Sequence, residues 1–400
     1  MTAPLSGIRV LDLTTVQMGP WCTRILADLG ADVIKVEAPP TGDSSRYTGV
    51  PRHRGMSGSF QHNGRGKRSI VLDLKHKAAR EALLRLVPTV EALASNIRPG
   101  ALARLGLDYE QVRKINPSIV YLSMVGYGSG GRYAGKPAYD DLIQAASGVA
   151  MLLQRSTGQP RYIPMAAIDR IVGSAAANAL LAGLLARART GTGQHIEVPM
   201  FETMAQFVLS EHMQGQTFDP PTSPAGYPRT LSPHRRPYET KDGYIAVLPY
   251  NDGQWRRFFE AIGKAHILEA DPRFADIATR TANIDSLYEM IGEELKHRTT
   301  VEWLDLLERN DIPCIRPHTL ETLLEDPHLA DAGFFQWEEH PSEGRIRTMR
   351  EPSTWSETPP PTGRLAPRLG QHSREILAEA GFAANEIDAL IEQKALMTEG

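Results

Sequence analysis

The chain has 400 residues, 41% of them hydrophobic and 23% charged, enough for two or three globular domains with ample core. Its net charge of −3 gives no global attraction for nucleic acid or an anionic membrane. Two distant cysteines, Cys22 and Cys314, and twelve histidines without metal-binding spacing suggest neither a disulfide framework nor a metal site.

No signal-like start and no apolar run near the roughly 20 residues of a bilayer span is read, so a soluble cytoplasmic protein is expected. Ile8 to Leu13 reads as a buried strand, Trp21 to Leu29 as a helix stopped by Gly30, and Ala31 to Val36 as the next strand. That order implies a parallel pair. Strands at 69–74, 90–95, 119–124 and 195–198 follow, with helices at 77–87, 109–115 and about 139–150. A long small-residue helix then runs from Asp169 through Ala175, Ala176, Ala177 and Leu184 to Arg189. The expected fold is α/β: an open, doubly wound parallel sheet in a large domain over residues 1–200. Residues 201–225 read as a linker helix and loop. Asp242-Gly243 between two apolar runs is a hairpin signal, and helical patterns after it make 226–325 a smaller α+β domain. Residues 326–400 read as a return linker, extended and Pro-rich over 351–367, with terminal helices at 373–380 and 385–394 packing on the large domain.

Several segments carry possible chemistry. A carboxylate at a helix start, as at Asp169, points at unpaired backbone N–H groups and is a cap or a nucleophile. Thr14 to Pro20 closes the first strand, where α/β folds bind ligands, but it lacks the G-x-G-x-x-G fingerprint. Gln17 there is a turn residue or an amide donor to an anionic oxygen. Glu37 reads as a solvated strand-end acid. The basic turn 64–68, Lys75, Arg98 and Arg104 are a solvated rim or a phosphate grip. The Gly-rich 126–131 loop is a connector or a close backbone approach to a ligand.

Together these segments resemble the class III CoA-transferases, the superfamily of formyl-CoA transferase, carnitine CoA-transferase and the bile-acid-inducible proteins. The resemblance rests on the opening Leu5-Ser-Gly-Ile-Arg-Val-Leu-Asp-Leu13, Gly19-Pro20, Leu26 to Glu37, Gly66 to Lys75, Asn96-Ile-Arg-Pro-Gly100, Arg104 to Tyr109, Asn116-Pro117, Gly126-Tyr-Gly128 and Thr190 to Gln194. It implies a CoA-transferase moving CoA from an acyl-CoA donor to a free carboxylic acid. Asp169 is the implied nucleophile, forming a mixed anhydride and an aspartyl-CoA thioester, and Gln17 the implied oxyanion donor. By the same resemblance Gln17, Met18, Leu72, Asp73, Leu74, Lys75, Asn96, Ile97, Arg98, Arg104, Lys136, Tyr139 and Asp140 line the CoA site. CoA thioester is then a substrate, no cofactor is held permanently, and the assembly is an interlocked, ring-like homodimer.

Two departures stand out. Ala38 occupies the position of a phosphate-facing Arg in formyl-CoA transferase, and Tyr250 to Gln254 roughly replaces a glycine-rich lid. The family also includes α-methylacyl-CoA racemases, whose catalytic His falls where this chain has Tyr139. A phenol with a pKa near 10 shuttles protons poorly at neutral pH. Transfer is therefore favoured over racemase or epimerase chemistry, and a non-catalytic acyl-CoA-binding role stands as the third reading.

Overall fold

The computed structural model describes residues 2–399. The chain divides into two compact units. The first comprises the chain up to Ser147, Ile163–Gln206, and everything from His328. The second comprises Gly148–Tyr162 and Phe207–Pro327.

The first unit is built on six parallel strands: β1 (Arg9–Leu13), β2 (Asp32–Glu37), β3 (Lys67–Leu72), β4 (Ala92–Ser95), β5 (Val120–Val125) and β6 (Gln194–Pro199). Their order is 3-2-1-4-5-6, and a strand at Leu396–Met397 adds antiparallel outside β3. The order reverses between β1 and β4, which makes the carboxyl ends of those strands the expected ligand crevice.

The first unit's helices are α1 (Met18–Asp28), α2 (Gly58–Asn63), α3 (Lys77–Leu86), α4 (Pro99–Leu105), α5 (Tyr109–Ile115) and α6 (Asp140–Ala146). In chain order α7 (Val149–Thr157), which belongs to the second unit, and α8 (Ala167–Thr190) follow. Successive strand side chains face opposite ways, and the two faces differ in chemistry. Leu11, Leu13, Ile34, Val36, Ile70, Leu72, Leu93 and Tyr121 pack under α3, α4, α5 and the helices Ser373–Glu379 and Ala384–Glu392 in an apolar core. The other face carries Asp12, Lys35, Glu37, Lys67 and Ser69, all buried. Helix α8 lies along β5 and β6 on that face: a Cβ at Gly183 would meet Ile196 Cδ1 at 2.6 Å and Val120 Cγ1 at 2.8 Å. Its small residues are thus a requirement of close packing.

By length and hydropathy α8 alone among the described helices is long and apolar enough to cross a bilayer, which corrects the expectation that no run nears that length. In this structure it packs against α1, β5 and β6.

The second unit has a three-stranded antiparallel sheet, Tyr238–Glu239, Tyr244–Val247 and Cys314–Ile315. It packs with the helices Asp252–Ala261, Ile284–Leu295 and Thr300–Arg309 around Trp255, Phe258, Phe259, Leu287, Ile291 and Trp303. Residues 250–254, expected roughly to replace a glycine-rich lid, form a helix start. Asn251 caps the Gln254 N–H, and the Gln254 side chain accepts the Asn251 and Tyr250 N–H groups.

Within 326–400 the chain forms an antiparallel hairpin, Phe335–His340 with Gly344–Met349, where only a linker was expected. Its outward Glu and Arg residues hide the strand alternation.

Candidate active site

Asp169 is the third residue of α8. Its helix begins at Ala166, whose own side chain makes no cap, so the carboxylate stands where a first-turn anion is favoured. Its own N–H donates to Asp140 Oδ2 at 2.9 Å. Asp140 opens α6 and is buried. Its Oδ1 accepts from Gln144 Nε2 at 2.6 Å, and Gln144 Oε1 accepts the Ile163 N–H at 2.8 Å. Burial pushes the Asp169 carboxyl up to about 6; the Asp140 charge adds to the rise, Asp141 contributes less, and Arg170 opposes it. A carboxylate with a raised pKa is a better nucleophile than an ordinary one, yet it remains mostly ionised near neutral pH.

One turn along the same face, Gly173 brings α8 against α1. A Cβ there would lie 2.6 Å from the Met18 carbonyl oxygen and 3.1 Å from Trp21 Cδ1. Trp21 Nε1 donates to Ser174 Oγ at 3.0 Å, tying the helices together. The first turn of α8, with Asp169, and the first turn of α1, with Gln17 and Met18, are thereby held in one locality. Gln17 Nε2 donates to Ser59 Oγ at 3.0 Å, and its Oε1 accepts from Asn63 Nδ2 at 2.7 Å. An amide nitrogen has two protons, and one is left for a substrate oxygen.

The preceding residue, Val16, has φ of +71°, a conformation that costs a β-branched residue about 1–3 kcal/mol. Such outliers persist where the surroundings over-determine them. Here Thr15 exchanges two 2.9 Å bonds with the Asn96 amide, and the Val16 N–H donates to Asp43 Oδ1 at 3.1 Å.

The other expected contact residues sit at the carboxyl ends of their strands. Asp73, Leu74 and Lys75 follow β3, Asn96, Ile97 and Arg98 follow β4, and Arg104 lies in α4. Lys75, Arg98 and Arg104 are exposed; none has a carboxylate partner among the described residues. Leu72 is fully buried in the core, backbone included, and its carbonyl accepts the Leu74 N–H. Met18 is buried at the start of α1. Lys136 and Tyr139 are exposed, Tyr139 at 67%, and Lys136 rests over the Tyr133 ring at 4.2 Å.

Three sequence readings change. Glu37 is buried, bonded to Arg46 by two 2.7 Å contacts and to Ser69 Oγ at 2.7 Å. The basic turn 64–68 is no phosphate grip: Lys67 Nζ is buried on Asp12 at 3.0 Å, Arg65 pairs with Asp28, and Arg68 pairs with Asp32. These groups lie at the amino end of β3, the wrong edge of the sheet. In the glycine loop, the Gly128 and Ser129 N–H groups are already taken by Glu202 and Glu197, so they are not free for a ligand. Lys35, Asp43, Ser59, Asn63 and Gly173 escaped the sequence reading, because their roles depend on contacts between distant segments.

A sheet of this order, with an anion-suited helix start and unpaired cations at its carboxyl edge, defines an α/β enzyme for an anionic, nucleotide-like ligand. The model of CoA-transferase family III matches residues 5–373, and the chain belongs to that family. It is 34% identical to a succinate–glutarate CoA-transferase of Agrobacterium fabrum, over 94% of this chain and 95% of that one. It is 33% identical to a succinyl-CoA:mesaconate CoA-transferase of Haloarcula hispanica, over 94% and 96%. A crystal structure of a CAIB/BAIF family protein from Brucella suis superimposes with a TM-score of 0.79 at 31% identity, covering 95% of this chain and 100% of that one. The protein is therefore a CoA-transferase acting on CoA thioesters.

Proposed function

We propose that the protein transfers CoA between small dicarboxylic acids through covalent catalysis at Asp169. An Asp169 carboxylate oxygen attacks the donor thioester carbonyl; the C–S bond breaks and CoA thiolate leaves, giving a mixed anhydride. The thiolate attacks the Asp169 carbonyl carbon and expels the donor acid, giving an aspartyl-CoA thioester. The acceptor carboxylate attacks that thioester carbonyl and expels thiolate. The thiolate then attacks the acceptor acyl carbon and frees Asp169. No step needs a net proton, so the site needs no acid–base histidine. Splitting the reaction into acyl exchanges replaces one hard displacement by easier ones.

The observation that carries this reading is the raised, half-buried Asp169 carboxyl in the first turn of α8, whose N–H is held by Asp140. The remaining Gln17 N–H is the donor to the developing oxyanion, a contribution on the order of 3 kcal/mol in such sites. Lys75, Arg98 and Arg104 hold the CoA phosphates as charged contacts. The dicarboxylate class rests on the names of the relatives in Agrobacterium and Haloarcula.

A homodimer fits the apolar residues left uncovered. The first unit exposes Tyr139, Leu142, Met165 and Leu185, and the second exposes Met151, Phe207, Leu209 and Phe218. Where such residues lie side by side they mark an interaction surface.

The test is to incubate the enzyme with succinyl-CoA, quench with hydroxylamine and map the product. A hydroxamate on Asp169 is expected. Exchange of the substrate α-proton with solvent, without any adduct, would instead establish the racemase-type reading. A panel of acids paired with succinyl-CoA and acetyl-CoA then tests the substrate class; activity confined to monocarboxylates would overturn it.

A further inference from the structure

The loop from β1 into α1 is fixed by groups outside itself. Thr14 donates its N–H and its hydroxyl to Asp12 Oδ1, at 2.9 and 2.5 Å. The Thr14 carbonyl accepts from Lys35 Nζ at 2.9 Å. Lys35 Nζ also bonds Asp43 Oδ2 at 2.8 Å, with the two side chains 1% and 0% exposed. Asp43 Oδ1 accepts the Val16 and Ser45 N–H groups at 3.1 and 2.9 Å. Burial opposes both charges, but Asp43, Asp12 and Glu37 together hold Lys35 protonated, and Lys35 with the N–H donors holds Asp43 ionised.

Val16 itself is 41% exposed, so the packing of its side chain does not explain its left-handed backbone. Glycine, which adopts that conformation freely, is not used there. The bond to Asp43 fixes this residue, and the next two are Gln17 and Met18, whose carbonyl lies against Gly173 of α8. A buried ion pair adds little net stability over apolar side chains of similar volume, and its best-attested use is to specify one arrangement.

We propose that the buried Lys35–Asp43 pair is a positioning device for transfer: it locks Val16 in the left-handed conformation and thereby sets the place of Gln17 relative to Asp169. This rests on the reading of Asp169 as nucleophile and Gln17 as oxyanion donor.

The test compares Asp43→Asn, Asp43→Val and the double variant Lys35→Met/Asp43→Leu in the full-length enzyme. The single-turnover release of succinate from succinyl-CoA and the steady-state kcat and KM are measured. Asparagine keeps an oxygen for the Val16 N–H, so Asp43→Asn is expected to retain activity within about tenfold. Asp43→Val and the double variant are expected to lose about 100-fold in succinate release, with KM for acyl-CoA within about threefold of wild type. Adding Val16→Gly to the double variant is expected to recover about tenfold, because glycine reaches that backbone without the pin. A wild-type rate in the folded double variant overturns the proposal. So does an equal loss in Asp43→Asn and Asp43→Val, or a loss that Val16→Gly leaves untouched. If wild-type enzyme yields no hydroxamate on Asp169, it is the nucleophile reading that fails, whatever the variants do.

Discussion

Asp140 accepts the backbone N–H of Asp169 at 2.9 Å, so one carboxylate orients the helix turn that carries the other and also raises its pKa. The two acids are brought together by the starts of α6 and α8, with an excursion of the chain into the second unit between them.

The first prediction concerns pH. The nucleophile must be ionised, and its carboxyl is raised to about 6. Plotted against pH, kcat/KM should fall below about pH 6 with a slope of one. Asp140→Asn removes the like charge, so the limb should move to lower pH; a limb that stays in place would show that Asp140 does not act on Asp169 by charge.

Stability should show the opposite sign. The folded-state pKa of Asp169 lies above its ordinary value of 3.8, so the folded protein binds more protons than the unfolded chain between about pH 4 and 6. This group's contribution therefore weakens as pH rises through that window. Asp169→Asn should abolish transfer, by at least about 1,000-fold. It should also stabilise the fold above pH 7 by about 1–2 kcal/mol, once solvent screening at a half-buried site is allowed for. Melting curves at pH 5 and pH 8 check this, and an unchanged or lower Tm at pH 8 would contradict it.

The cations at the carboxyl edge should govern binding alone. Lys75→Ala, Arg98→Ala and Arg104→Ala should each raise KM for acyl-CoA, by about tenfold, with little change in kcat. The wild-type KM should rise with salt, since exposed charges are screened over about 10 Å at 0.1 M. A kcat effect without a KM effect would move these residues out of the CoA site.

Gly173 supplies a packing test. A methyl group there would press on the Met18 carbonyl, which is backbone and cannot swing away. Gly173→Ala should cost about 1–3 kcal/mol and should reduce kcat more than the loss of folded protein explains, because it separates Gln17 from Asp169. Circular dichroism melts alongside activity per folded molecule decide between the two.

Much of this architecture was legible in the chain. Alternating strand and helix patterns mark β1 to β6 because parallel strands covered on both faces read as short apolar runs. The Asp169 helix start was visible from its composition. The polar face of the sheet was not. Asp12, Lys35 and Lys67 sit in strands that look apolar, and their partners come from other segments, so their pairing does not show in the local pattern. The hairpin at 335–349 was hidden by charged outward residues beside a Pro-rich stretch. Asp140 stood among the residues that the resemblance implies for the CoA site, and its bond to Asp169 follows only from the tertiary fold.

The closing elements of the first unit have a kinetic consequence. The Gly370 N–H donates to Ser69 Oγ across 301 residues of chain, and Leu396 then pairs with Leu72 along the outer strand. Contacts so remote in sequence form late. Until they form, the outer edge of β3 and the apolar face that the last two helices cover stay open, and an open edge strand invites pairing between chains. Refolding yield should therefore depend on protein concentration, and a chaperone that shields the early sheet should raise it.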